Sequence, residues 1–511
     1  MGDYTTVSCG VASVAQLLER GLHAWNADNH VSSILAYEAL LGSCDCNTSE
    51  PCAALDRQAQ LTAHGNCGSA HMMRAGEAMM LPRERVRHLS LAKHHWSIPA
   101  QILGDANPNP AVTYFNTLID ADLAVARSTQ QHLDEASWPE DQVMRVSPIP
   151  RRHVSSLSPQ QFLREFALQS RPVILVGLVP GSDENSGTGA LLELLLSVCG
   201  GKSATMRVHD PSEAAGAWAS LKSSTGSLTV SEVYSRLAHA RADSARSSTT
   251  VSWAGNAQTV GTDHSDPQRN ATIDRMETWQ TEQLFDYSLP RHCPELFSDS
   301  SDDPQQRAPA LSLLSAAHRE YFDRSAFFRR SLPADSSCAL ADGWPSLFIQ
   351  PPASSCGLHV DSYGTSFFQL LLRGVKRWRI FAPDEAARLY PRPPRFKSFQ
   401  VEDVFAPNYE RFPLLRTAHV HEAVLRENEV IFIPAASPHQ VFNGEDYAKA
   451  TDGPVVAIST NYIDGSNVDV ALRELHLGAG PMGANRDVAR TLEHLRREAL
   501  RLKQDVEDAA A

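Results

Sequence analysis

The sequence predicts an α+β protein in which an antiparallel β-barrel or jelly roll lies between a mainly helical N-terminal region and C-terminal helices. Two observations predict the barrel. Short apolar runs, "WPSLFIQ", "SFFQLLL", "KRWRIFA", "EVIFIPA" and "VVAISTNY", crowd residues 344–462, and Gly, Pro, Asn and Asp separate them, as strands and tight turns require. The third observation concerns the ends, where apolar residues recur at spacings of three and four instead of two.

In order along the chain, "VASVAQLLERGLHAW" places Val11, Val14, Leu17, Leu18 and Leu22 near helical spacing, so residues 1–145 are expected to form a helical region with no recognisable catalytic motif. Its "CDCNTSEPC" stretch, with Cys44, Cys46 and Cys52, and Cys67 further on, lacks the spacing of a zinc knuckle or ribbon, which favours free thiols and loop cysteines over the alternative of a structural metal. Near residue 145 the character changes. Ser158 is placed to cap a helix carrying Phe162, Phe166 and Leu168, and "RPVILVGLV" then reads as a buried strand. The polar stretches "GSDENSGTG", "ARADSARSS" and "FSDSSDDPQQR" bury too little apolar surface for a core and are expected to be surface loops or insertions, as is "GEDYAKATDGP" before the last strand. The barrel domain is expected over 146–470 and C-terminal helices over 471–511. There Val488, Leu492, Leu495, Ala499, Leu502 and Val506 make a short a/d seam, able to pair protomers as a homodimer but more naturally packed on the parent domain.

Composition excludes several classes. With 511 residues the chain exceeds one ordinary core, and 42% hydrophobic and 21% charged residues are ordinary for a globular protein. No run of about 18 apolar residues would cross a bilayer, so no membrane partner is expected. The formal charge of −13 gives no global attraction to phosphate. The stretch "YPRPPRFK", with Arg392, Arg395 and Lys397, offers a local basic surface for RNA or an acidic peptide, and a solvated loop is its simpler reading. Nine scattered cysteines point to reduced thiols and an intracellular setting, nucleus or cytoplasm. "MGDYTT" meets the loose myristoylation pattern but has no polybasic stretch beside it.

"GLHVDSYGTSFFQLLLRGVKRWRIFAP" carries the chemistry. His359 and Asp361 are spaced i, i+2, so on an extended segment both point to one face. The tripeptide pattern alone proves nothing, because His132–Asp134 and His264–Asp266 repeat it. A mononuclear non-haem iron site needs two neutral imidazoles and a carboxylate on one face. His439, at the start of a strand after "ENEVIFIPAASP", is the natural third ligand. Lys376 opens a strand in an apolar hairpin; pointing inward it needs an anionic partner such as a bound carboxylate, and an outward-facing strand lysine is the alternative.

With these residues in place, about 150–465 resembles the JmjC-domain oxygenases, an iron(II)- and 2-oxoglutarate-dependent family on the double-stranded β-helix, a cupin-like jelly roll. Its His-x-Asp, Gly-Thr-Ser and Gly-x-Lys-Arg-Trp order is most similar to the small lysyl-hydroxylase branch that includes the protein once called the phosphatidylserine receptor. The resemblance implies His359, Asp361 and His439 as Fe(II) ligands, Lys376 and Ser459 on the distal carboxylate of 2-oxoglutarate, Gln369 beside the co-substrate and Asn461 near the metal. Ser459 stands where the branch has threonine, Gln369 where it has asparagine, and Cys356 where it has threonine. The implied activity consumes O2 and 2-oxoglutarate, releases succinate and CO2, and hydroxylates a side chain of a protein substrate. Removal of an N-methyl group from histone lysine, RNA hydroxylation and a non-catalytic cupin-like binding module are the alternatives.

Overall fold

The computed structural model describes residues 19–24, 29–42, 57–75, 80–103, 110–135, 141–179, 187–208, 222–244, 282–296, 343–352, 354–392, 398–401, 403–445, 453–479 and 485–510. The chain divides into two compact units, 1–137 with 390–400 and 480–484, and 138–389 with 401–479 and 485–511.

In the first unit, helices α1 (His30–Gly42), α2 (Arg57–Ala75), α3 (Pro82–Leu103) and α4 (Pro110–Glu135) pack each on the next. Small residues bring α2 close to α3: a Cβ on Gly68 would meet the Trp96 ring at 2.6 Å. Buried Arg85 ties in the short hairpin of Pro391–Arg392 with Ser398–Phe399, donating to Ala75 O at 2.8 Å and Pro391 O at 2.6 Å. Arg392 is half-buried in that hairpin, while Arg395, Lys397, Cys44, Cys46, Cys52 and the "MGDYTT" start lie outside the described residues.

The second unit is built of strands β1 (Arg145–Pro148), β2 (Arg151–His153) and β3 (Val173–Val176), helix α5 (Gly187–Cys199), strands β4 (Ser203–Val208) and β5 (Lys222–Thr229), helix α6 (Val230–Ser244) and strand β6 (Glu282–Ser288). There follow β7 (Ser346–Gln350), β8 (Ser355–His359), β9 (Ser366–Arg373), β10 (Lys376–Phe381), β11 (His419–Leu425), β12 (Val430–Ile433), β13 (His439–Phe442), β14 (Val455–Tyr462) and helices α7 (Val468–Gly478) and α8 (Arg486–Ala510). One sheet runs β1-β11-β10-β13-β8 within this unit; the other runs β2-β3-β12-β9-β14-β7-β6-β4-β5. The fold is the expected α+β jelly roll.

Period-two alternation explains the layers. On β9, Phe367 and Leu371 join Trp378 and Ile380 of β10, Ile431 and Ile433 of β12 and Val441 of β13 in the core between the sheets. Their neighbours Phe368, Leu370 and Leu372 face the other way, onto Leu191, Leu195 and Phe162 from the helices and Val506 of α8. Ser158 forms the expected cap, accepting from Gln161 N while Gln161 Oε1 accepts from Ser158 N. The apolar seam of α8 is used within the chain: Val488, Leu492, Leu495 and Leu502 are buried with Ile463, Val468, Ala471 and Leu475.

Three expectations change. The polar stretch at 181–189 is in part helix, since α5 begins at Gly187, and "ARADSARSS" begins inside α6; "FSDSSDDPQQR" lies outside the described residues. Reduced thiols hold for Cys67 and Cys356, but Cys199 and Cys293 form a disulfide across 94 residues. Among the described residues no helix is long and apolar enough to cross a membrane.

Candidate metal centre and anion pocket

The site lies between the sheets of the second unit, and alternation selects its side chains. Gln369 shares the inward face of β9 with Phe367 and Leu371, Ser459 and Asn461 continue the inward face of β14 from Val455 and Ala457, and Lys376 precedes inward Trp378 on β10. His359 does not follow from alternation alone. Cys356 already faces inward, and a regular strand would turn a residue three positions on to the opposite face. The ladder supplies the correction: His439 pairs with His359, but Val441 pairs with Cys356. Three steps on β8 match two on β13, a β-bulge that rotates His359 back into the interior.

The three donors converge there. His359 Nε2 stands 3.6 Å and His439 Nε2 3.8 Å from Asp361 Oδ1, and one ligating atom from each of the three residues lies within 4.8 Å of the others. The backbone fixes both imidazole tautomers. His359 Nδ1 donates to Gly357 O at 2.7 Å and His439 Nδ1 to Ser437 O at 2.9 Å; carbonyls only accept, so both Nε2 atoms are left with lone pairs facing the carboxylate. Asp361 Oδ2 accepts from Asn461 Nδ2 at 2.8 Å, and the same amide donates to Thr365 Oγ1 at 2.9 Å. Oδ1 is thereby left toward the imidazoles. Two neutral imidazoles and one carboxylate on one side of a point form the donor set that suits a divalent iron centre with open positions.

The three groups also shift one another's titration. Burial, with the nearby His359 charge, pushes His439 down to about 4. His359 is held up at about 10, because Cys356 and Asp361 outweigh its own burial. Asp361 stays low, its burial outweighed by the two histidines and Asn461.

Beside the triad is a cavity of about 290 Å³ whose lining includes Gln350, Gln369, Lys376, Trp378, Ser459 and Asp286. Lys376 is 1% exposed. Its ammonium donates to Gln350 Oε1 at 2.6 Å, and Gln350 Nε2 in turn donates to Gln283 Oε1 at 2.5 Å. A neutral amide does not neutralise a buried cation, so burial lowers Lys376 to about 7. Gln369 and Ser459 are directly paired across β9 and β14. Gln369 Oε1 and Trp378 Nε1 are buried without hydrogen-bond partners among the described residues. An anionic ligand fits these groups, since it would neutralise Lys376 and accept from the orphaned Trp378 Nε1–H.

The loop between β8 and β9 is shaped by Gly364. It has φ +65°, and a Cβ there would come within 2.7 Å of Ala471 N and 2.8 Å of the Val470 carbonyl in α7. Asn467 holds the same loop, donating to Gly364 O at 3.3 Å, Ser366 Oγ at 3.2 Å and Tyr462 O at 3.1 Å. Gly364→Ala is therefore expected to destabilise the protein by about 2 kcal/mol or more, from the backbone clash and left-handed strain together. A urea-unfolding midpoint unchanged from wild type would contradict this packing.

The structure brings together all seven residues singled out in sequence: His359, Asp361, His439, Lys376, Gln369, Ser459 and Asn461. It sets one of the other His-x-Asp pairs aside. Asp134, at the end of α4, takes Arg83 and Gln130 at the surface, and His264 lies outside the described residues. Sequence reasoning missed Gln350, whose only signal is a polar end to an apolar strand. It also missed Asp286 in the cavity wall, which accepts from Ser346 Oγ at 2.7 Å and is raised by burial, with Asp361's charge adding to it. Nothing in "QLFDYS" marks this aspartate as inward.

Comparison with known proteins agrees with this architecture. The chain is 34% identical over 124 residues to a protein named HSPB1-associated protein 1 homolog from Danio rerio, covering 23% of this chain and 27% of that protein. It is 39% identical over 100 residues to HSPB1-associated protein 1 from Homo sapiens, 19% of this chain and 20% of the relative. Over 112 residues it is 27% identical to a protein named arginine-specific demethylase JMJ20 from Arabidopsis thaliana, 22% of each chain. The matches thus span only about a fifth to a quarter of those proteins' lengths. The model of the cupin-like domain matches residues 159–466, more than half of the chain and nearly all of the two sheets with the triad between them; the chain belongs to the cupin-like, JmjC-type family.

Proposed function

We propose that this protein is an iron(II)- and 2-oxoglutarate-dependent oxygenase that hydroxylates a side chain of a protein substrate, in the manner of the small lysyl-hydroxylase branch. The observation that carries the reading is the coincidence, in one cavity, of the two-histidine, one-carboxylate triad with a buried lysine whose hydrogen-bond partner among the described residues is a neutral amide. His359, Asp361 and His439 would hold the metal. Bound iron would supply the reaction of dioxygen with 2-oxoglutarate, one oxygen atom going into succinate as CO2 leaves and the other into the hydroxylated substrate.

The chain's own residues bind and orient. The carbonyls of Gly357 and Ser437 keep the ligand imidazoles in the Nδ1–H tautomer, and Asn461 aims the carboxylate. Lys376, held by Gln350, meets the far carboxylate of the co-substrate, with Ser459 and Gln369 beside it. Trp378 and Phe367 wall the site and keep water from it. Asp286, across the cavity, would accept a cationic side chain, which supports a lysine or arginine as the group presented.

The relatives named for association with HSPB1 support a protein as partner. Removal of N-methyl groups is the second reading, favoured by the similarity to a protein named an arginine-specific demethylase. The two reactions differ in which carbon meets the metal: a hydroxylated N-methyl group leaves as formaldehyde.

The test is succinate formation by purified protein with iron(II) and 2-oxoglutarate under air, with and without cell extract as substrate source. We expect iron-dependent succinate that His359→Ala abolishes. Formaldehyde released in step with it would select demethylation, and no succinate under either condition would reject the oxygenase reading for a binding module.

A further inference from the structure

The first unit contains a second convergence of metal-type donors, independent of the jelly-roll site. His64, Cys67 and His71 fall at i, i+3 and i+7 on α2, and His88 and His95 at i, i+7 on α3, so both sets form stripes, and the stripes face each other. A helix interface is normally filled with apolar side chains. Here Cys67, His71 and His95 are 0%, 1% and 7% exposed, and burying such polar groups is costly unless each finds a partner.

The contacts sort the atoms. His95 Nδ1 lies 3.1 Å from His64 Nδ1, while its Nε2 lies 3.4 Å from Cys67 Sγ. His71 Nδ1 lies 2.9 Å from His88 Nδ1, while its buried Nε2 has no aligned hydrogen-bond partner and stands 3.4 Å from Glu38 Oε1 of α1. One nitrogen of each inner imidazole is thus engaged by an outer imidazole, and the other points toward a shared space. One ligating atom each from Cys67, His71 and His95 lies within 4.8 Å of the others. Tetrahedral zinc with ordinary Zn–N and Zn–S bonds sets its ligands about 3.3–3.6 Å apart. The Cys67–His95 and His71–Glu38 separations already have that value. Hydrogen bonding among the imidazoles alone leaves His71 Nε2 to the Glu38 carboxylate, the fourth donor at the same place.

We propose that Cys67 Sγ, His71 Nε2, His95 Nε2 and the Glu38 carboxylate form a tetrahedral site for a zinc-type divalent cation that joins α1, α2 and α3, with His64 and His88 orienting the two ligand imidazoles. Four protein donors leave no open position, so the site is structural. Gly65 and Gly68, packed against Trp96, let the helices approach closely enough for the donors to meet.

The test uses the full chain carrying Asp361→Ala, which removes the jelly-roll carboxylate, stripped of metal and titrated with Co2+. We expect one equivalent to bind with a thiolate-to-cobalt charge-transfer band, and Zn2+ to displace it. Cys356→Ser, which removes the thiol near the other triad, should leave the band. Cys67→Ser should abolish the band and weaken binding at least about tenfold. Cobalt bound without a thiolate band, a band that survives Cys67→Ser, or no binding at all would each overturn the site. Should Cys67→Ser fail to fold, Glu38→Gln alters a side chain that is 45% exposed; it must weaken Co2+ by about tenfold or more, and unchanged affinity rejects the proposal.

Discussion

Asp361→Ala is expected to abolish iron-dependent succinate release while leaving the protein folded. The carboxylate is the only anionic donor of the triad, and both histidines reach the same oxygen, Oδ1. Two imidazoles alone hold a divalent ion weakly and leave its position undefined, so the loss should be complete at ordinary iron concentrations. The fold should survive because Asp361 is 24% exposed and stands among the polar groups lining the cavity, outside the apolar core clusters. Without the carboxylate both imidazoles can stay neutral, each still donating its Nδ1–H to a backbone carbonyl, so the melting temperature should fall by no more than a few degrees. Circular dichroism melting beside the succinate assay separates the two effects. Normal turnover by Asp361→Ala would refute the ligand assignment.

Lys376→Met should raise the 2-oxoglutarate concentration needed for half-maximal turnover by about 10²–10³-fold, because truncating one member of a buried charge pair typically costs 2–5 kcal/mol. Methionine keeps most of the volume, so packing is a lesser concern than with alanine. The same lysine gives a pH signature. In the ligand-free pocket burial lowers it to about 7, and a bound carboxylate favours the ammonium form. Below about pH 7 the charge is already present and affinity is flat. Above it, binding must take up a proton, and affinity should fall by up to about tenfold per pH unit. Calorimetry in buffers of different ionisation enthalpy would read that uptake directly. Unchanged co-substrate dependence in Lys376→Met would move the anion site elsewhere.

The central strands, from "SLFIQ" to "VVAISTNY", were legible in local periodicity, and His359, Asp361, His439 and Lys376 stood out beside them by spacing and residue type; Gln369, Ser459 and Asn461 were reached only through the family resemblance. Strands β4, β5 and β6 were not legible: "KSSTGSLT" carries no apolar alternation, and β5 is a strand because β4 pairs with it. Gln350 and Asp286 were missed for a related reason. Their roles depend on which strand lies beside which, and pairing across tens of residues leaves no local mark. The donors on α2 and α3 were hidden by mixing, since Cys67 reads as one of several scattered cysteines until the helices meet, and the Cys199–Cys293 disulfide depends equally on a contact 94 residues apart.

The irregular pairing of β8 with β13 gives the metal centre a property that no single side chain has. His359 faces inward because of how many residues separate it from Cys356 and not because of what those residues are. Insertion or loss of one residue at Gly357–Leu358 would therefore point an intact histidine away from its partners. In comparing relatives, the spacing of this strand is a better guide to a competent centre than the presence of the histidine itself.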